Sequence, residues 1–404
     1  MKNPFRPIAL CKQKFKGNQL SIFNRRSASD LRGVLNLACE ATLGVTDVVE
    51  KLHHTIQLRH PPLGNSHAGQ TGGVTGFVYR SIRGTTRLLG KGFDTALTPI
   101  AAMLPESSSS TSRDAMVAAI NGVYGDHLLM TNNPLAIEMC FRYEGKLVKP
   151  AHLDALPGIH GKVLLFVHGL CLSDGHWTRE GINRGEALAR NLGYTPLYLR
   201  YNTGLPIAAN GRELARMLDI LLREWPQPVT ELAIAGHSMG GLVARSACHY
   251  GALASHGWLQ KLRKLVFIGT PHHGAPLERG GGWVDFTMGL SPYTAPFTNL
   301  GKKRSAGIND LRHGSITCDG GFTALPEGVE CYAMAASRAK KPGRIHERLI
   351  GDGLVPVDSA LGRSRDPAMT LEIPVSRQWL GFETGHIELL WRPEVYARLH
   401  DWLE

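Results

Sequence analysis

The apolar positions follow two regimes that change over near Pro134. Before it they recur at helical spacing. Leu31, Val34, Leu35, Ala38, Ala41, Val45, Val48, Val49, Leu52 and Ile56 predict an amphipathic helix over Ser29 to Gln57, or two joined near Gly44. Leu58 to Gly73, rich in His, Pro and Gly, predicts a loop. A second stripe (Val78, Ile82, Leu88, Leu89, Phe93, Leu97, Ile100, Leu104) predicts another helical stretch, interrupted at Gly84, Gly90 and Pro99. The run Ser107 to Ser112 reads as a short linker that ends in an N-cap for a third helix around Asp114 to Gly122.

After Pro134 the pattern becomes one of strands alternating with helices. Apolar runs around Glu144-Gly145 predict a β-hairpin that begins a sheet. Lys162 to Leu170 is continuously apolar, as in a parallel strand hidden on both faces. Then come a strand Thr195–Tyr201, a helix Gly211–Trp225, a strand running into Ser238, a helix Leu242–Tyr250 and a strand Lys264–Thr270. His272 to Thr323 keeps no long period, and an insertion of that length predicts a cap over a functional site. A strand Val329–Ala335, a loop to Asp352, a last strand near Met369–Pro374 and a helix Pro393–Leu403 close the chain. The expected class is α/β, a mostly parallel central sheet with helices on both faces, an N-terminal helical extension and a cap insertion. The expected division is a basic arm 1–28, a helical accessory region 29–130 and a catalytic domain 131–404 with the cap at about 272–323.

Charge modifies this picture at one end. The 404 residues carry a formal net charge of +11, and residues 1–33 hold eight lysines and arginines against Asp30 alone. Such an arm could meet an anionic surface, but it lacks interleaved aromatics and any nucleic-acid motif, so a solvated tail is expected and no nucleic-acid partner. The apolar stripes that follow are expected to pack within the protein, with a peripheral membrane surface as the alternative. No 18-residue apolar stretch and no secretory signal is read, and seven scattered cysteines fit reduced thiols; a cytoplasmic location is expected. His53, His54, His60 and His67 are irregularly spaced around a loop and read as a surface cluster, not as a metal site.

The chemistry centres on Gly236-His-Ser-Met-Gly240, an apolar strand ending in a turn before a helix. Gly236 and Gly240 flank Ser238 where a side chain would obstruct so tight a bend, and the turn lifts the hydroxyl clear of the sheet. A serine needs a base, and the base needs an orienting acid, both on loops after strands. Asp352, in Gly351-Asp-Gly-Leu-Val-Pro356, is chosen over Asp358 as the acid, and His386 after the last strand as the base. The oxyanion donors are assigned to the backbone N–H of Met239 and of Leu170, with Cys171 one residue away. His168 reads as a structural loop residue, His237 as pointing away from the hydroxyl, and His272 and His273 as shaping the pocket mouth. Trp283, Phe286, Met288, Leu290, Tyr293 and Phe297 are the residues available in the cap to hold an acyl chain.

Phe166-Val-His-Gly-Leu170, Gly236-His-Ser-Met-Gly-Gly241, Gly269-Thr-Pro-His-His-Gly274, Gly351-Asp-Gly-Leu-Val355 and Gly385-His386 together resemble the motif series of α/β-hydrolase lipases and esterases, nearest in pattern to the bacterial lipases and the GPI-inositol-deacylase-like branch. The resemblance spans about residues 160–404. It implies ester hydrolysis through an acyl-enzyme at Ser238, with no metal or organic cofactor. The structural calcium of some bacterial lipases is not carried over, since no suitable acid pair is present. Two alternatives stay open: an acyltransferase or thioesterase using the same triad, and a membrane-surface or partner-binding module with an idle hydrolase domain. The oligomeric state is not fixed.

Overall fold

A computed structural model describes residues 29–40, 42–43, 46–47, 50, 73–103, 111–275, 305–340 and 351–404. They fall into two compact units, 1–108 and 109–404. The expected arm 1–28, the loop after the first helix, most of the serine linker and all six cap residues named above lie outside the described residues.

In the first unit, residues 29–40 are helical. Helix α1, Gly73–Met103, runs unbroken through Gly84, Gly90 and Pro99, where interruptions were expected. A glycine costs a helix interior only about 1 kcal/mol, and a proline near the C-terminal end forfeits little of the backbone ladder. The expected inward stripe is also corrected over its first half; the side chains of Phe93, Leu97, Ile100 and Leu104 lie outside those described. The less exposed positions are Gly76, Tyr79, Arg83, Thr86 and Gly90, whereas Val78, Ile82, Leu88 and Leu89 are exposed. The inward face meets the first helix through Gly90, where an added Cβ would fall 3.3 Å from Cys39 Sγ, and through Arg83, which pairs with Asp47 at 2.7 Å and with buried Glu50.

The second unit begins earlier than the expected boundary at 130/131. Helix α2, Thr111–Met130, belongs to it and is longer than the stretch expected from Asp114 to Gly122. Val117, Ala118, Ala119 and Ile120 are buried, and its first-turn Asp114 pairs with Arg200 at 2.5 Å. Arg200 in turn pairs with Asp174, which also holds Arg142.

Strands β1 (Cys140–Tyr143) and β2 (Lys146–Leu147) form the expected hairpin about Glu144-Gly145, both at positive φ. β3 spans Lys162–Val167; β4 (Thr178–Arg179) and β5 (Ile182–Asn183) make a small separate hairpin; β6 is Tyr194–Arg200, β7 Glu231–His237, β8 Leu262–Ile268, β9 Glu330–Ala336 and β10 Gln378–Gly381. The main sheet is ordered β10-β9-β8-β7-β3-β6-β1-β2, parallel throughout except at the β1 and β2 edge. The connecting helices are α3 (Arg184–Asn191), α4 (Ile207–Arg223) and α5 (Met239–Leu253), followed by α6 (Ala306–His313), α7 (Val357–Ala360) and α8 (Pro393–Leu403).

The continuous apolar runs follow from this layering. Val163, Leu165 and Val167 of β3 join a core with Leu214, Leu218 and Leu242 of α4 and α5, while Leu164 and Phe166 join a second core with Leu188, Leu399 and Leu403 of α3 and α8. Among the described residues no helix is long and apolar enough to cross a membrane.

Two expectations on the C-terminal side are corrected. The last strand is Gln378–Gly381, not Met369–Pro374. Leu371 and Ile373 do alternate with exposed Glu372 and are buried, which produced the strand-like pattern, but their backbone turns on itself, with Leu371 N–H donating to Gly362 and Ile373 N–H to Leu371. The true strand is a half-buried edge with little apolar signal. The described end of the expected cap, from Ser305, is fastened to the domain: Ser305 Oγ donates to Gly122 O at 2.7 Å, Asp310 accepts from Ile207 N–H at 2.8 Å, and Ser246 Oγ donates to Ile316 O at 2.6 Å.

Candidate active site

The parallel register brings the strand ends level. Val167 pairs with Gly236 and His237 with Ile268, so the turns after β3, β7 and β8 open on one rim. Ser238 sits at φ 54° and ψ −125°, a conformation that side chains rarely adopt, between the end of β7 and the first residue of α5. The bend is sterically enforced. A Cβ at Gly236 would lie 2.6 Å from Gly241 Cα, and one at Gly240 2.2 Å from Val167 O. The Ser238 N–H donates to Ile268 O at 2.8 Å, which ties the elbow to the neighbouring strand. The hydroxyl is buried and has no hydrogen-bond partner among the described residues, so no hydrogen bond joins it to His386.

Asp352 and His386 come from loops separated by β10, and the structure brings them together. Asp352 is fully buried; its Oδ1 accepts from Leu354 N–H (2.9 Å) and Val355 N–H (2.8 Å), and its Oδ2 lies 2.7 Å from His386 Nδ1. The His386 N–H also donates to Asp352 O at 3.2 Å, and Arg338 Nε donates to the same carbonyl at 3.1 Å. With one carboxylate oxygen held by two amides, the other is aimed at the imidazole, which fixes ring and tautomer. Asp358, its rival in sequence, opens α7 with a half-exposed side chain 3.8 Å from Arg363. The imidazole lies against the turn after β8, where a Cβ at Gly269 would fall 3.3 Å from His386 Cε1.

His237 does more than point away. Its Nε2 donates to His386 O at 3.1 Å and its ring centroid lies 4.8 Å from that of His386; burial, then the neighbouring imidazole, pushes its pKa well below the ordinary value. It is therefore neutral, a strut under His386.

The turn after β3 faces the serine: a Cβ at Gly169 would lie 2.9 Å from Ser238 Cβ. His168 Nδ1 donates to Gly169 O (3.0 Å), the ring stacks on Tyr201 at 4.5 Å, and burial lowers its pKa to about 3. Tyr201 returns a hydrogen bond to His168 O (2.8 Å). Cys171, at φ 60°, donates its N–H to Thr203 Oγ1 at 3.2 Å. That commitment removes Cys171 as a donor toward substrate, while the Leu170 N–H meets no acceptor among the described residues. Met239 opens α5, where first-turn amides have no intrahelical acceptor.

Sequence reasoning missed Thr203, Tyr201 and Arg338 as supports, and it expected the helix α2 without its packing on Cys171 and Asn202. A Cβ at Gly122 would lie 2.2 Å from Cys171 Sγ, and one at Gly125 1.8 Å from Asn202 Oδ1, while Asn202 Nδ2 donates to Gly125 O at 2.9 Å. The spacing Gly-x-x-Gly on a helix was the available signal. His272 is buried beneath Arg245 (Nη1 to Nδ1, 3.3 Å) and half-buried His273 bonds Gly362 O (3.0 Å), so both anchor the loop that leads into the expected cap. Arg245 itself is buried, binds Thr323 O at 2.6 Å, and has its pKa lowered to about 10 by burial. Among the described residues no cluster of His, Cys, Asp and Glu could hold a metal.

Residues 158–323, less than half of the chain, match the PGAP1-like alpha/beta domain family. That stretch includes Leu170, Ser238 and Met239; Asp352 and His386 lie beyond it. No curated protein matches the chain. Similar solved structures include the mature Bacillus licheniformis lipase BlEst2 (20% identity, 59% of this chain and 91% of that one, TM-score 0.37), Aspergillus fumigatus lipase B (14%, 65% and 58%, 0.37) and an α/β hydrolase superfamily protein from Enterococcus faecalis (15%, 60% and 90%, 0.36). Likenesses of this size carry nothing about substrate. The fold is an open, mostly parallel eight-stranded α/β sheet, and the match to the PGAP1-like alpha/beta domain family covers the part of it that carries Leu170, Ser238 and Met239.

Proposed function

We propose that the protein is a serine carboxylester hydrolase that works through an acyl-enzyme on an ester with an apolar acyl group. In this reading Ser238 Oγ attacks the ester carbonyl carbon as His386 Nε2 takes its proton, and Asp352 holds the imidazole and stabilises the cation that forms. The N–H groups of Leu170 and Met239 donate to the oxyanion. Collapse of the tetrahedral intermediate expels the alcohol, protonated by His386; water then attacks the acyl carbon by the same steps in reverse and returns Ser238. A bond between nucleophile and base that is long before substrate arrives commonly tightens in the complex.

The observation that carries this reading is the buried 2.7 Å pair of Asp352 and His386 on the same rim as the strained elbow of Ser238. A buried carboxylate held by two amides has no structural need to face an imidazole on the rim that also carries a buried hydroxyl with no hydrogen-bond partner. Trp283, Phe286, Met288 and Leu290 remain the proposed acyl contacts. The test is turnover of p-nitrophenyl esters from butyrate to decanoate by the parent and by Ser238→Ala. Turnover lost in the variant and favouring longer chains in the parent is expected. Undiminished turnover in the variant would remove Ser238 from the mechanism, and a preference for the shortest chain would remove the apolar acyl group.

A further inference from the structure

Helix α1 divides its surface in an informative way. With Gly76, Tyr79, Arg83, Thr86 and Gly90 turned inward, Phe77 and Leu88 on one side and Val78, Leu89 and Ile82 on the other, with the small polar Ser81 and Thr85 between them, share an outward arc of roughly 140° at about 3.6 residues per turn. These side chains are exposed, Leu88 by 73% and Phe77 by 65%. A soluble chain ordinarily keeps such residues scattered; a run of five on one helix face marks a surface that meets something apolar.

The composition of the helix identifies the partner. Residues 73–91 contain no aspartate or glutamate, and Arg80 and Arg87 line one border of the apolar arc, both exposed. The chain before α1 opens with the strongly basic residues 1–33. An apolar face bordered by arginines and free of acids complements an anionic lipid surface, in which the apolar arc enters the acyl boundary and the guanidinium groups stay among the phosphates. A partner helix or a second copy of this chain would have no need of that one-signed border.

We infer that α1 seats the protein on an anionic membrane surface through Phe77, Val78, Ile82, Leu88 and Leu89, with Arg80 and Arg87 on phosphates. The inference goes beyond the hydrolase reading, because flotation reads it without turnover.

The full chain is floated with vesicles of phosphatidylcholine alone and with 30 mol% phosphatidylglycerol. Binding to the anionic vesicles is expected, weakened by salt. Phe77→Ser/Leu88→Ser is expected to lower the partition constant about a hundredfold, from the transfer value of two large apolar side chains. Arg80→Gln/Arg87→Gln is expected to lower it about thirtyfold on the anionic vesicles only. All these positions are exposed and outside the catalytic machinery, so circular dichroism and hydrolysis of a short soluble ester stay unchanged. As a gain-of-signal arm, Leu88→Trp adds tryptophan emission that is blue-shifted and quenched by brominated acyl chains. Failure of the parent to float, flotation of the serine variant equal to the parent's, or a change in oligomeric state in place of a change in flotation would each overturn the inference.

Discussion

The two walls of the proposed catalytic rim are built by different physics. On the side of Ser238, glycine backbone fills space that no side chain could share: Gly236 against Gly241, Gly240 against Val167 O, Gly169 against Ser238 Cβ. On the side of the acid and base, polar groups meet polar groups: Asp352 accepts from two amides and faces His386, whose carbonyl receives His237. Steric contact fixes position through volume and tolerates no added atom. Hydrogen bonding fixes orientation and tolerates isosteres of the right polarity only. Substitutions should therefore separate the walls, with volume changes lowering stability on the first and charge changes lowering rate on the second.

The largest expected effect lies on the second wall. In Asp352→Asn the volume is kept, but an amide N–H can face His386 Nδ1 and force the proton onto Nε2, where it must be absent to accept from Ser238. A fall of about 10⁴ in kcat is expected with little change in Tm, by analogy with other triads. Steady-state kinetics beside thermal melts check this, and a large loss of Tm with retained kcat would invert the comparison.

On the first wall Gly240→Ala places a methyl 2.2 Å from Val167 O, backbone that cannot swing away. A loss of about 3 kcal/mol is expected by chemical denaturation, as for overpacked cores. A neutral result would show that the elbow has slack.

Gly122→Ala sharpens the comparison because it is steric but remote. Its methyl presses on Cys171 Sγ, one residue from Leu170. A fall of about tenfold in kcat with KM unchanged is expected, and Cys171→Ala in the same chain should recover most of it; 1 Å displacements at a catalytic group are worth up to about 10²-fold. Loss of stability without a change in kcat would make the contact purely architectural.

Three buried imidazoles set the pH response of the fold. His168, His237 and His272 all have pKa values lowered by burial, His168 to about 3. The unfolded chain takes up their protons near pH 6.5, the folded chain only at much lower pH, so their contribution is complete above about 6.5 and declines as pH falls below it. Denaturation midpoints measured from pH 8 to 4 should drop progressively on the acid side. A midpoint flat to pH 4 would mean that these rings are solvated. The smallest effect is expected at Asp358→Asn, a half-exposed carboxylate, within about 0.5 kcal/mol in stability and no measurable change in kcat.

The same contrast explains what the sequence disclosed. The steric wall is written in glycines and apolar runs, so β3, β7, β8 and the elbow were legible to within two or three residues at their ends. The polar wall lies on irregular backbone. Asp352 and His386 were read from their place in a strand order, although that order contained a misplaced last strand, because Leu371 and Ile373 imitate alternation and Gln378–Gly381 does not. Asp114 on α2, joined to Arg200 over 86 positions, could not be assigned to the catalytic unit from periodicity, since such pairings carry no local pattern.

The central claim is that Ser238 is an activated nucleophile. Reaction of the full chain with a fluorophosphonate, followed by peptide mapping, tests it directly. Labelling at Ser238, abolished in Ser238→Ala and strongly slowed in Asp352→Asn, is the expected result. Absence of labelling, or a label that maps to another serine and survives Ser238→Ala, would contradict it.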